Sequence, residues 1–410
     1  MARLFPFRAL RPKPADAARI AAVPYDVVST EEARALAADN PLSFLRVSRA
    51  ELELPPSADP YSDAVYERAA RNFERLRTSS LVIEDEPSVY FYRLRMGSHT
   101  QTGLAACFSL DEYDRDVIKK HERTRRDKED DRTRHMLALG AQTGPVFLTY
   151  RAVADVNAIA DRASSGAPLF DFEAADGVRH LIWRVVGADR DALVAAFGRI
   201  PALYIADGHH RAASAARART EMRTRGVAAT DLGDGAGAST MLAVAFPHDQ
   251  VQILPYNRVV KDLGRRSPDD FLQAVRERFE ITAGRPVPSR RGEIAMYFRG
   301  GWHMLQPRVA PNASNPIASL DVSVLQDQLL APVLNIADVR TDKRIDFVGG
   351  ARGTGELVTL VDSGKAAVAF SLYPVSVSDL KTVADAGAIM PPKSTWFEPK
   401  LRDGLLIHVI

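Results

Sequence analysis

The chain has 410 residues, with 54 Lys and Arg against 52 Asp and Glu, a net charge of +2. Hydrophobic residues make up 46% and charged residues 26%, the balance of a globular chain long enough for two or three domains with cores that need no staples. Near-neutrality excludes a whole-molecule field for gripping nucleic acid or an anionic membrane. The single cysteine, Cys107, excludes an intrachain disulfide or a cysteine-based zinc site.

Residues 1–14 are basic but carry no apolar run of signal-peptide length, and no stretch approaches the ~18–20 apolar residues of a membrane span. A cytoplasmic protein without membrane partners is expected. In chain order, Val23-Pro-Tyr-Asp26 precedes a helix over 31–38, with Ser29 or Thr30 as its cap and acids in the first turn. Asn40-Pro41 ends it, and residues 42–48 read as a strand. Residues 61–80 predict an amphipathic helix, and 89–96 and 102–110 two strands of a hairpin turned at Gly97-Ser98.

Charge then concentrates. Asp114 to Arg134 holds nine Lys or Arg and seven Asp or Glu, the pattern of a solvated helix face with i,i+4 pairs. It is too balanced for a nucleic-acid arm. Further strands are expected at 146–150, 180–186, 202–206 and 240–246, with a Gly-rich loop at 231–238. A helix over 268–279 begins after Ser267-Pro268, as proline at its first position allows. Strands at 292–298 and 301–306, a helix over 321–330 and a flexible Gly-rich loop at 349–355 follow. The alternation predicts a mixed α/β protein. Neither 349–355 nor Asp362-Ser-Gly-Lys365 has the spacing of a phosphate-binding P-loop.

The most informative stretch is 202–219. An apolar strand runs into Asp207-Gly-His-His-Arg211 and directly into a helix. A helix N-terminus offers free N–H groups and a positive dipole end. Gly208 admits close backbone approach, and Arg211 carries a fork of donors suited to phosphate. Together these make a candidate anion site, with Asp207 placed to hold a metal or take a proton. Asp207 as a mere turn or cap residue is the plainer alternative, and metal binding by the adjacent His209 and His210 is a weaker one. In Lys120-His-Glu-Arg-Thr124, Glu122 suits a base for a substrate hydroxyl and Thr124 a phosphate or Mg²⁺ contact. His-Glu-x-x-His zinc chemistry is excluded because position 125 is Arg. Lys128 and Arg132 fall four apart on one helical face, where they suit phosphate, and Lys393 follows two backbone-fixing prolines.

These segments resemble a bacterial and archaeal family, domain of unknown function 1015, over nearly the whole chain. The resemblance rests on Val23-Pro-Tyr-Asp26, Asn40-Pro41, His121-Glu-Arg-Thr124, Ala206-Asp-Gly-His-His-Arg211 and Met390-Pro-Pro-Lys-Ser-Thr395. Where that family often has Pro-Thr-His-Arg, this chain has Pro255-Tyr-Asn-Arg258. More distantly, Asp207-Gly208-His209-x-Arg211 is similar to the phosphate-binding motif of ParB/sulfiredoxin-like nucleotide-binding proteins, whose free-serine kinases carry Asp-Gly-His-x-Arg.

The resemblance implies an N-terminal α/β segment over 1–100, a ParB-like nucleotide-binding core with a charged helical insert over 101–260, and a C-terminal α/β domain over 261–410. It implies a nucleotide-dependent kinase acting on a small-molecule hydroxyl such as that of free L-serine, using ATP, ADP or CTP with Mg²⁺. Glu122 and Asp207 would be catalytic, with Asp207 on the metal. Gly208, His209, His210 and Arg211 would hold the nucleotide. His121, Thr124, Lys128, Arg132 and Lys393 would contact substrate or phosphate. A ParB-like nucleotide switch and a phosphate-ester hydrolase are the alternatives. Nucleic acid is not an expected partner, and a homo-oligomer is compatible with the sequence.

Overall fold

The computed structural model describes residues 1–226 and 237–410. Most of the expected 231–238 loop lies outside the described residues. The protein is mixed α/β, as its alternating pattern predicts, and it divides into two compact units. The first comprises Met1–Lys120, Thr124–Val251 and Pro399–Ile410, and the second His121–Arg123 and Gln252–Glu398.

The first unit is built on a mixed sheet. Its strand order is Ile118–Lys119, Leu203–Asp207, Val146–Tyr150, Thr240–Pro247, His99–Ser109, Val89–Met96, Arg179–Val185 and Phe170–Glu173, with Leu4–Phe5 paired to His99–Ser109. Ile118–Lys119 lies parallel to Leu203–Asp207, and Val146–Tyr150 parallel to Thr240–Pro247, while the remaining neighbours are antiparallel. The central strands Val146–Tyr150 and Thr240–Pro247 are buried along their length, and the helix His209–Thr224 packs against them. The 89–109 hairpin carries this sheet straight through residue 100, where the sequence reading puts a boundary. The C-terminal residues return to the same unit: His408–Val409 pairs with Ala141–Gln142, and Ala22 bridges Asp403.

The helix at Thr30–Ala37 starts as expected. The Ser29 side chain accepts from the Glu32 N–H at 3.1 Å, and Glu32 accepts from the Ser29 N–H at 2.7 Å, a reciprocal capping box. The strand expected over 42–48 does not form. Leu45–Ser48 is a single helical turn whose Leu45 and Val47 are both buried. A segment of four residues is too short for a 3.6-residue period to show.

The charged stretch also differs from expectation. Its helix, Arg126–Leu139, is not a solvated face but is packed between Asp63–Ser79 and His209–Thr224. Its charges pair mainly across helices. Tyr66 donates to Asp131 at 2.9 Å, Arg134 pairs with Asp63 at 2.5 Å, and Arg217 pairs with Glu129 at 3.2 Å and with Asp130. Buried His135 lies against the Val47 carbonyl at 3.0 Å, and burial together with the Arg132 charge pushes its pKa down to about 4.

The second unit holds an antiparallel sheet ordered Phe279–Ala283, Gly301–Pro307, Ile294–Phe298, Val368–Leu372, Tyr256–Val260 and Ile345–Gly349. The helix Pro268–Arg278 is capped by Ser267, which accepts from the Asp270 N–H at 3.2 Å. The 349–355 stretch is not a flexible loop. A 3₁₀ turn at Gly350–Arg352 leads into a helix, Gly353–Asp362, anchored by buried Leu357. Among the described residues no helix is long and apolar enough to cross a membrane.

Candidate functional site

The strand Leu203–Asp207 and the helix His209–Thr224 meet as the motif requires. A register shift between Ile205 and Asp207 marks a bulge, the device by which strands re-aim a side chain at their end. Gly208 then turns with φ +92°, a left-handed conformation that a side chain disfavours. A Cβ there would sit 3.1 Å from Arg211 Nε, because the Arg211 side chain folds back over the turn.

Arg211 is buried. Its Nη1 donates to the Pro145 carbonyl at 2.6 Å, and its Nη2 lies 3.7 Å from Asp207 Oδ2. Lys400, contributed by the C-terminal segment, donates to the same carboxylate oxygen at 3.3 Å. Burial pushes the Asp207 carboxyl up, but Lys400, Arg211 and His209 outweigh it and hold it well below the carboxylate range. Asp207 is therefore a firmly ionised group, suited to a cation and poorly suited to accept a proton at neutral pH.

A second set of groups joins this one. Arg132 donates to Asp131 at 2.9 Å and to the Ser48 carbonyl at 3.3 Å, and its guanidinium lies 4.2 Å from the Tyr25 ring centre. Burial pushes the Tyr25 hydroxyl up, reinforced by Asp26. Asp403 stands behind Arg211 and Arg132, so close to Gly144 that a Cβ at that glycine would collide with its carboxylate. Its Oδ1 is buried without a hydrogen bond. Burial raises its pKa to about 7 against the pull of Arg211, with Asp26 adding to the rise. A carboxyl that titrates near neutrality exchanges protons readily.

The remaining expected residues fall as follows. His210 Nε2 accepts the Arg125 N–H at 3.0 Å, so this atom anchors the start of the charged segment and does not offer itself to a metal. His209 is buried. The Thr124 hydroxyl donates to Glu129. Lys128 donates to the Tyr61 hydroxyl at 2.9 Å, whereas Arg132, one turn on, turns to Tyr25, so the two cations share a face but not a ligand set. His121 and Glu122 belong to the second unit, where His121 accepts from the Met390 N–H at 2.8 Å and lies 3.4 Å from Thr395 Oγ1. Lys393 adopts φ +58° in that unit, its ammonium 5.6 Å from the Tyr256 ring centre.

Sequence reasoning assigned no role to Asp403, Lys400 or Asp131. The first two lie in a short C-terminal stretch with no motif, and Asp131 is one of sixteen charged residues between Asp114 and Arg134.

The chain belongs to the family described as protein of unknown function DUF1015, whose model matches residues 4–323. Among curated proteins, none matches the chain. Solved structures similar to it include a free serine kinase in complex with AMP, at 13% identity over 73% of this chain and 91% of that one, TM-score 0.36. A conserved hypothetical protein from Pyrococcus furiosus is similar at 13% identity over 74% and 95%, TM-score 0.36. SbnI with a C-terminal truncation, from Staphylococcus aureus, is similar at 11% identity over 74% and 86%, TM-score 0.38. Likeness this distant carries no functional argument.

Proposed function

We propose that this protein is a nucleotide-dependent phosphotransferase that phosphorylates the hydroxyl of a small molecule, with free L-serine as the first acceptor to test. The observation that carries the reading is the joint at Asp207–Arg211. There an ionised carboxylate, a left-handed glycine and the N-terminus of a 16-residue helix meet within one turn of chain. The helix start presents N–H groups and its dipole to phosphate oxygens, and Gly208 lets them approach the backbone without a Cβ between.

Lys400 and Arg211 both pair with the Asp207 carboxylate, so neither is fully available to a bare anion and the site suits a metal-complexed polyphosphate better. Mg²⁺ takes one or two carboxylates plus phosphate oxygens, and Asp207 fits as one such ligand. When bound, Mg²⁺ supplies charge neutralisation of the phosphates. The chain's own work is to position the nucleotide, to exclude water around Arg211, and to receive the hydroxyl proton. Asp403 suits the last role by its near-neutral titration, and Glu122 by its motif; Asp403→Asn and Glu122→Gln separate the two, since only loss of the true acceptor abolishes transfer.

The binding half is tested by titrating ADP and ATP with and without Mg²⁺. Tighter binding with Mg²⁺, weakened at least tenfold in Gly208→Ala, is expected. Equal affinity in Gly208→Ala contradicts the placement of the phosphates.

A further inference from the structure

The second unit holds a cavity of about 250 Å³ that phosphoryl transfer leaves unused. Arg258, Gln326, Asp338 and Arg340 line it on the polar side, and Val322 and Pro391 contribute to the apolar wall. Two of the motif segments singled out in the sequence, Pro255–Arg258 and Met390–Thr395, meet here. Arg258 is only 2% exposed; its Nη1 donates to the Tyr256 carbonyl, and its Nη2 to the Lys393 carbonyl at 3.0 Å. Among the described residues no carboxylate forms an ion pair with it. The carboxylate on the wall, Asp338, is already paired with Arg340 at 2.8 Å, so the lining carries a net positive charge. Burial pushes the Arg258 pKa down to about 10, only partly offset by Tyr256. A buried cation without a counter-charge is costly unless a ligand supplies one.

A second group on the wall is also incompletely satisfied. Gln326 Nε2 donates to the Ile336 carbonyl at 2.9 Å and to that of Ala337 at 3.3 Å, which orients the amide and leaves Oε1 buried without a donor. Gln326 opens a π-turn, Gln326–Leu330, inserted between the helical segments Asp321–Leu325 and Ala331–Leu334. Pro332 follows it, and proline disfavours an α-turn at the residues before it. Such π-turns occur often at functional sites.

We propose that this cavity binds a small α-amino or α-hydroxy monocarboxylate. The carboxylate pairs with Arg258, the amine or hydroxyl donates to Gln326, and a short aliphatic group lies against Val322 and Pro391. The volume falls below the ~300–1,000 Å³ of drug-sized sites, which suits a few-carbon acid and excludes a nucleotide. The assignment is independent of what the first unit transfers.

The test is calorimetric titration of the full chain with L-alanine and L-lactate, alongside alaninamide, lactamide and inorganic phosphate. Binding of at least one acid, with no binding of its amide, is expected. Arg258→Gln should abolish it, and Gln326→Met, which keeps the side-chain length but removes the Oε1 acceptor, should weaken it at least tenfold. Circular dichroism melts identify a variant that fails to fold, and Gln326→Met then decides. Failure of both acids to bind, equal binding of an amide, or phosphate binding in their place overturns the proposal.

Discussion

Arg211 of the first unit and Arg258 of the second are both nearly inaccessible, yet they are treated in opposite ways. Burial works against the charge of Arg211, but Asp207, Asp26 and Asp403 outweigh it, and the guanidinium is held in its charged form. Arg258 has carbonyl acceptors and no carboxylate, and burial lowers its pKa. A balanced cluster stores its electrostatics internally and depends on every member. An unbalanced buried cation is a local cost that only a ligand of opposite charge removes.

Substitution by an uncharged residue of similar length is the sharpest way to break this contrast. Arg211→Met leaves Asp207 and Asp403 without their shared cation and should cost about 3–5 kcal/mol, the usual cost of breaking a buried ionic network. Arg258→Met removes a charge that has no counter-charge and should change stability by no more than about 1 kcal/mol. Urea denaturation measures both, and equal losses would abolish the distinction.

Asp403→Asn tests the cluster from its acidic side. Asp403 titrates in the fold near 7 but near 4 when unfolded, so the native state binds the extra proton between those values. Its contribution to stability is fully present below about pH 4 and is lost as the pH rises through about 7. Relative to Asp403→Asn, the parent protein should lose on the order of 4 kcal/mol over that window. Parallel stability–pH curves for the two proteins would show that Asp403 is not the buried, uphill-titrating acid.

Gly144→Ala probes the same carboxylate sterically. The new methyl group collides with Asp403 and should cost roughly 1–3 kcal/mol, as overpacking does. At the small end, Asp338→Asn opens an exposed pair with Arg340 in the second unit and should leave the thermal midpoint unchanged within error.

Much of the first unit was legible because its signals are local. The Ser29 cap, the 89–109 hairpin and the strand–glycine–helix joint at Asp207–Arg211 each lie within a few residues, and each forms where the pattern places it. The errors have physical causes. Leu42–Ser48 alternates enough to resemble a strand, but tertiary burial of Leu45 and Val47 selects a helical turn. Gly349–Gly355 looks like a loop by composition, yet its second half starts a helix whose apolar run buries Leu357. The charged segment resembles a solvated face because sequence shows the charges but not their partners on two other helices. Asp403 and Lys400 reach Arg211 and Asp207 from almost two hundred residues away, a separation no local motif records.

The central claim is that the Asp207–Arg211 joint supports phosphoryl transfer to a small hydroxyl. Its most direct test is incubation of the full chain with Mg²⁺, L-serine and either ATP or ADP, with phosphoserine read by mass spectrometry. Phosphoserine formed with one of the two nucleotides, and lost in Asp207→Asn, is the predicted result. Phosphate released without any phosphoserine would indicate a hydrolase, and no turnover with either nucleotide would contradict the account.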